Sequence, residues 1–407
     1  MAQRIKIAYF VTPHTGGTFR TFQNLRKALS PLGYDMLAVS VGKMEWNGWW
    51  EEKLADESCV RLSPGESSLT EAVRALVNWI RELNVKFVIP MCNVVALSAL
   101  PYLPSSCKVV SRVSSTSKMG LRLAVPDTKR ISAIVAHTPG HLRELQKLDR
   151  NVASKVVFIP HGVDVAEFYP SDDAPLRDHQ KLRLLYLGRL SIYDKGIDRL
   201  KPICEALLSF TDRFTLTVVG SGLDAPYLRR KLAPLQTLGL VEFQPAVLPE
   251  RVPDVLRNHD VLIMPSRFEG FPNILIEAMA CGVVPVASLL PGITDFIVDD
   301  GECGFLCAQD KPAHFARCLA ELCVNNSLIK QMKEKAVEKV KSKFSLEKVG
   351  TGYDRLFRSL LRETRCDFPE LPIPAQVPFH PLVRPRRLVT LRRKLRSVLA
   401  RLGLWRR

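Results

Sequence analysis

Short apolar runs bounded by turn residues alternate with amphipathic stretches along most of this chain, and that alternation limits the fold more than any other feature. In the first half the runs read RIKIAYFV, YDMLAVSV, VKFVIPM, KVVSRV, SAIVAH and KVVFIP. They are nearly continuous in Val, Ile and Leu rather than alternating apolar with polar. That is the pattern of parallel strands whose sheet is covered by helices on both faces. The segments between them, such as Phe19 to Ser30 and Leu69 to Leu83, carry helical spacing. After IPHGVDVAEFYP a polar patch from Ser171 to Lys181 reads as a linker, and the pattern then restarts with LRLLYLG, FTLTVVG, GLVEFQ, DVLIMPS and VVPVAS. The expected architecture is α/β, with two doubly wound Rossmann-like domains over 1–170 and 171–345 and a helix over 346–365 packing back toward the first. Ligands of such sheets collect at the carboxyl ends of the strands.

The length of 407 residues suits two domains of ordinary size plus appendages. With 46% hydrophobic and 24% charged residues, neither a disordered nor a fibrous chain is indicated. The net charge of +17 is concentrated: residues 384 to 407 hold ten Lys or Arg and no acid, leaving 48 bases against 41 acids, or +7, in the rest. A proline-dense stretch, 366–385, reads as an extended spacer before that tail. In the tail, 386–407, Leu388, Leu391, Leu395, Val398, Leu399 and Leu402 recur at helical spacing opposite Arg393, Lys394, Arg396 and Arg401. A basic amphipathic helix of this kind suits an anionic membrane surface, because a leucine stripe is of use in lipid and idle on phosphates; no nucleic-acid partner is expected. Ten cysteines at irregular spacings read as reduced thiols, and MAQRIKIAYFVTP reads as a first strand rather than an export signal. The expected location is therefore cytoplasmic, peripheral on the inner face of the membrane. From Ile274 to Ile293 the only charge is Glu277, but Gly282, Pro285, Pro291 and Gly292 chop that run into a buried α/β unit rather than a membrane span.

The residues that could do chemistry sit in strand-end loops. In FEGFPNILIEAMACG, Pro272 and Gly282 bracket a nearly apolar helix from Asn273 to Cys281, so Glu277 is expected to be buried. A buried carboxylate needs a fixed partner, and either a basic side chain or the vicinal diol of a ribose would serve. Glu269 lies in the loop that feeds this helix, and the free backbone N–H groups of Gly270, Phe271 and Asn273, with Pro272 among them contributing none, make a ready anion site. GRLSIYDKG, after the first strand of the second domain, offers Arg189 as a forked donor and Lys195 as a point charge for a diphosphate. Two more glycine loops follow strands: GSG at Gly220 to Gly222, and HTGGT with Gly16 and Gly17.

Taken in order, IPHGVD, GRLSIYDKG, VVGSG, PSRFEGFPNILIEAMACGVVPVAS and PGITDFIVDDGECGFL resemble the retaining glycosyltransferases of family 4, the glycosyl transferases group 1. The pair Glu269 and Glu277 matches that family's E-x7-E motif. The resemblance covers about residues 4 to 361 and implies a GT-B fold, two Rossmann-like domains facing a central cleft. It implies that Glu277 binds the ribose of a nucleotide sugar, that Glu269 reaches sugar hydroxyls, and that Arg189 and Lys195 neutralise the diphosphate. Gly16 and Gly17 match the family's glycine loop on the donor phosphate, and Gly220 stands in its VVGSG mark. The donor is a substrate, uridine the base by family habit, and no cofactor is implied. The acceptor class is a glycan, lipid-linked or cell-envelope molecule.

No Asp-x-Asp pair appears in the strand-end loops, so no metal is expected to assist the reaction. Where many members place a histidine near the acceptor, RVSSTSKM has Arg112 and Ser114; either Arg112 takes part of that work or His14 or His137 approaches. His161 occupies a turn position the family usually gives to asparagine. EGFPN departs from the commoner EGFG and leaves the sugar unread. Cys303, Cys307, Cys318 and Cys323 are not expected to bind zinc, since Cys318 and Cys323 stand about 140° apart round one helix. Two other readings stay in view: a nucleotide-sugar epimerase of the same fold, and a catalytically silent binding protein at a membrane.

Overall fold

A computed structural model describes residues 4–14, 16–41, 55–62, 67–115, 117–125, 127, 129–171, 181–363 and 370–380. The described residues form two compact units, one running to Gly162 and resuming from Leu346 to His380, the other spanning Val163–Ser345. The first unit holds seven strands: β1 (Ile5–Tyr9), β2 (Tyr34–Val41), β3 (Cys59–Leu62), β4 (Phe87–Ile89), β5 (Lys108–Arg112), β6 (Ile131–Ala136) and β7 (Val156–Phe158). They pair in parallel in the order β3-β2-β1-β4-β5-β6-β7. The second holds β8 (Leu182–Leu187), β9 (Phe214–Val219), β10 (Val241–Gln244), β11 (Val261–Met264), β12 (Val284–Ser288) and β13 (Phe305–Cys307), parallel in the order β10-β9-β8-β11-β12-β13.

Each sheet carries apolar side chains on both faces, so each unit has two core layers. In the second unit Leu184, Leu216, Ile263 and Val286 point into one layer and Leu185, Val219, Leu262 and Ala287 into the other. Neighbouring residues of one strand thus serve opposite layers, which is why its apolar runs are continuous. Eleven of the strands coincide with the apolar runs of the sequence. The two others, β3 and β13, are short edge strands: CVRL has one apolar face at most, and FLC is too brief for any period to show.

The helix Leu346–Arg362 belongs to the first unit. Val349, Tyr353, Leu356, Phe357 and Leu360 form its buried stripe. It packs on the helix Gly17–Leu29, and a Cβ at Gly350 would stand 2.8 Å from the Ala28 carbonyl oxygen, so glycine permits the close crossing. Of the proline-dense stretch, 370–380 lies along the same unit: the amide of Val377 donates to Thr70 Oγ1 (2.9 Å) and that of His380 to Ser98 Oγ (3.1 Å). The basic tail, 386–407, and most of the linker 171–181 lie outside the described residues. Among the described residues no helix is long and apolar enough to cross a membrane. The run from Ile274 to Ile293 is divided among the helix Asn273–Ala280, strand β12 and the turn that follows it.

Candidate functional site

In the second sheet β8 and β11 are neighbours, but the strands that follow each run off in opposite directions. Their carboxyl ends therefore leave a crevice, and the loops 188–196 and 265–272 rise beside it. The two loops are built on one another. Gly196 is left-handed (φ +61°), and a Cβ there would stand 2.2 Å from the Pro265 carbonyl oxygen. The amides of Arg267 and Phe268 donate to the Asp194 carbonyl at 2.8 and 3.2 Å. The Arg267 guanidinium grips Asp198 through both nitrogens (2.6 and 2.8 Å) and donates to the Ile192 carbonyl (2.7 Å). The third loop closes against the first: a Cβ at Gly220 would lie 1.9 Å from the Gly188 carbonyl oxygen, and the Leu190 amide donates to the Ser221 carbonyl at 2.8 Å. Asp224, almost fully buried, receives the Ile192 amide at 2.9 Å.

On this frame the charged residues converge. Lys195 Nζ lies 2.7 Å from Glu269 Oε1, and Ser266 Oγ donates to the same oxygen at 2.7 Å. The Glu269 side chain is 8% exposed and that of Lys195 25%, so this pair stands partly out of water. Arg189 pairs with Asp194 and keeps 53% of its side chain exposed, which leaves most of its fork facing solvent. The buried Tyr186 hydroxyl donates to the Arg189 carbonyl at 2.8 Å; burial, then the charges of Glu269 and Asp194, push its pKa well above the ordinary value.

The helix that starts beside Glu269 runs over Asn273–Ala280, with Pro272 at its N-cap and no side chain capping it. Its expected last residue, Cys281, is the C-cap, and Gly282 turns left-handed (φ +69°) just beyond. Glu277 is 7% exposed among Leu275, Ile276, Ala278 and Met279, as a carboxylate inside an apolar helix must be.

Gly16, Gly17 and Arg112 belong to the other unit. Gly16 is the N-cap of the helix Gly17–Leu29, again with no side-chain cap, and its amide donates to His14 Nδ1 at 2.7 Å. Arg112 ends β5 and is 6% exposed; its Nη1 donates to the Tyr9 hydroxyl at 2.5 Å, and its guanidinium lies 5.7 Å from the centre of that ring. Of the two candidate histidines, His14 is occupied by Gly16, and burial lowers its pKa. His137 is fully enclosed, stacks edgewise with His161 at 4.4 Å, and is held well below its ordinary pKa, first by burial and then by the charge of Arg112.

Sequence reasoning singled out Arg189, Lys195 and Glu269 in these loops but missed the residues that hold the loops together: Asp194, Asp198, Ser266, Arg267 and Asp224. Ser266 was readable, since Ser-x-x-Glu is the spacing at which a hydroxyl meets a carboxylate in a turn. The Arg267–Asp198 pair was not, because 69 residues separate its members.

The model of the family described as glycosyl transferases group 1 matches residues 181–325, the span that contains all three loops. Over that span the chain is similar to the group 1 glycosyl transferases. The chain is 27% identical over 349 residues to an uncharacterized glycosyltransferase of Haemophilus influenzae, a match that takes in 81% of the chain and 94% of the relative. It is 32% identical over 218 residues to a D-inositol 3-phosphate glycosyltransferase of Frankia alni, 50% of this chain and 52% of that one. The chain spans about half the length of the inositol-phosphate relatives it matches. Among solved structures, Anabaena HepE in complex with UDP and glucose is similar with a TM-score of 0.71 at 19% identity, over 88% of this chain and all (100%) of that one. A glycosyltransferase of Rickettsia africae gives 0.70 at 18%, over 89% and 100%. At such identities the likeness is one of fold, and the fold is GT-B: two doubly wound α/β domains.

Proposed function

We propose that the chain is a retaining glycosyltransferase of family 4 that moves a sugar from a UDP-linked donor to a glycan, lipid-linked or cell-envelope acceptor, without a metal at the donor phosphates. The observation that carries this reading is the crevice between β8 and β11, where Lys195, Glu269, Arg189 and an uncapped helix start stand on one interlocked frame. As the bond from the sugar's anomeric carbon to the diphosphate breaks, the electron pair goes to the phosphate oxygen while the sugar turns oxocarbenium-like. Arg189, Lys195 and the helix N–H groups would receive that growing negative charge, and because they are already oriented, little reorganisation opposes them. Glu269 would hold Lys195 in place and meet sugar hydroxyls; Glu277 would accept the two ribose hydroxyls. Gly220 would let the third loop approach the diphosphate; Gly16 and Gly17, at the helix start of the first unit, would take the glycine-loop role that the family resemblance implies. Gly270, Phe271, Pro272 and Asn273 would line the sugar.

The relatives leave the base to experiment, since one solved neighbour carries UDP and a Mycobacterium tuberculosis relative is named for GDP-mannose. That relative is also named for a phosphatidylinositol dimannoside, which supports a lipid-linked acceptor and gives the tail 386–407 a membrane surface to sit on. A thermal-shift screen over UDP- and GDP-sugars is the direct test. Saturation at a hundred times Kd should stabilise the protein by about 2.7 kcal/mol. Stabilisation by UDP-sugars that disappears in Glu277→Ala supports the reading; undiminished affinity in that variant refutes the ribose role, and no stabilisation by any nucleotide sugar refutes the donor site. Loss of liposome binding on deleting residues 384–407 checks the membrane surface.

A further inference from the structure

Away from the crevice loops, β13 ends on Cys307, and the helix Pro312–Val324 that follows sets His314 and Cys318 one turn apart on the same face. The three side chains meet. Cys307 Sγ, Cys318 Sγ and a ring nitrogen of His314 all lie within 4.8 Å of one another, and the two sulfurs are 3.9 Å apart. Both cysteines are free thiols, buried, and far beyond the ~2.05 Å of a disulfide. Two thiolates bound at ~2.3 Å to one tetrahedral centre stand roughly 3.8 Å apart, so the sulfurs already have the spacing of a shared ion. The Ala308 amide donates to His314 Nδ1 at 3.3 Å, which orients the ring. On the outer side the cluster borders a surface groove lined by Asp300, Phe305, Arg317 and Glu321, which gives an ion a way in and a carboxylate or water for a fourth ligand.

We propose that Cys307, His314 and Cys318 form a binding site for a borderline-soft divalent ion of the zinc class, held by two thiolates and one imidazole with its fourth position toward the groove. Thiolate and imidazole donors select such an ion over magnesium or calcium, which prefer oxygen. Binding releases the two thiol protons to solvent, leaving the ion and its two thiolates neutral overall. The sequence pairing that argued against zinc, Cys318 with Cys323, is not the one the fold uses. Cys323 Sγ faces the Arg213 carbonyl at 3.8 Å, and Cys303 Sγ receives the Asp299 amide at 3.2 Å. The ion would tie β13 to its helix across the loop 308–311, where Gln309 Nε2 donates to the Arg267 carbonyl (3.4 Å) and Asp310 pairs with Arg199. It would brace the crevice frame from outside and is compatible with cationic side chains on the donor phosphates.

Cobalt titration of the reduced, chelator-stripped full chain tests this with no nucleotide sugar present. One Co²⁺ per chain should bind with a thiolate-to-cobalt charge-transfer band and intense tetrahedral d–d absorption, both bleached by Zn²⁺. Cys307→Ser and Cys318→Ser should each weaken the band, and the double variant should lose it. His314→Ala, at a partly exposed position, should weaken Co²⁺ binding by at least about tenfold with an unchanged circular dichroism spectrum. Cys92→Ser should bind as the parent does. Absence of the charge-transfer band in the parent at saturating Co²⁺, or its survival in the double variant, would overturn the assignment.

Discussion

Mild acid should destabilise the first unit ahead of the second, and His141 should account for much of the loss. This residue sits on the helix Pro139–Gln146 with 0% exposure; its Nδ1 receives the His137 amide at 3.4 Å, and its Nε2 is buried without a hydrogen-bond partner. Burial pushes its pKa from 6.5 down to about 4. The folded value lies below the unfolded one, so the unfolded chain takes up a proton as the pH falls through 6.5 while the folded chain waits until about 4. Stability contributed by the neutral ring is thus complete above pH 6.5 and is lost as the pH falls through 4. A gap of about 2.5 pKa units at ~1.36 kcal/mol each makes the loss roughly 3 kcal/mol. His137 acts in the same direction, its pKa held down first by burial and then by the charges of Arg112, His161 and His141.

The assay can isolate this unit, because Trp46, Trp49, Trp50 and Trp79 all precede Gly162, and none of the five tryptophans falls between 163 and 345. Urea unfolding followed by tryptophan fluorescence at pH 7, 5.5 and 4.5 should show the midpoint falling across the series. His141→Asn keeps an acceptor for the His137 amide and cannot take the proton, so it should remove most of that roughly 3 kcal/mol from the pH dependence. Equal pH slopes for the parent and His141→Asn between pH 6.5 and 4.5 would refute the reasoning.

Three further outcomes test the second unit. Asp260, which leads into β11, opposes the cost of its burial with bonds from Arg183 (2.9 and 3.0 Å) and with Lys333 at 3.4 Å, and its pKa falls to about 2. That carboxylate adds stability above about pH 4, lost as the pH falls through 2; Asp260→Asn should cost roughly 2 kcal/mol at neutral pH by circular dichroism in urea, and an unchanged midpoint would contradict it. Gly220→Ala forces a Cβ to within 1.9 Å of the Gly188 carbonyl oxygen at φ +147°, so a loss of at least about 2 kcal/mol is expected in the same assay, and a neutral result would mean the loop yields freely. Lys195→Met removes one charged donor while leaving Ser266 on Glu269; calorimetry should show UDP-sugar binding weakened roughly 10- to 100-fold, and unaltered affinity would take Lys195 out of the diphosphate site.

Both sheets were legible because parallel strands buried on two faces leave continuous apolar runs, as LRLLYLG and FTLTVVG do. Strands β3 and β13 were not, since an edge strand of three or four residues is stabilised by its neighbour rather than by its own pattern. The same division runs through the site. Lys195 and Glu269 could be singled out by position alone, each in a loop at a strand's carboxyl end. Their pairing depends on contacts between distant segments: Gly196 on Pro265, Arg267 on Asp198, Gly220 on Gly188. His314 and Cys318 carried a local signal, an i,i+4 pair on one helix face, but the third member arrives on an edge strand that the sequence did not announce.

The Lys195–Glu269 pair also bears on how such a crevice can work. A lone cation aimed at an empty phosphate site would be mobile, its long side chain sampling many rotamers, and ordering it would oppose donor binding. Glu269, itself 8% exposed and anchored by Ser266, holds Lys195 at 2.7 Å before any ligand arrives. Part of the ordering entropy is then met during folding rather than during binding. The cost is that Glu269 partly neutralises the charge it orients, so a second cation is needed for a diphosphate. On the proposed reading Arg189, 53% exposed and tied to Asp194 on one side only, would supply it. Removing Glu269 should therefore free Lys195 and weaken donor binding despite raising the site's positive charge, whereas a site governed by net charge alone would bind the donor more tightly in Glu269→Gln.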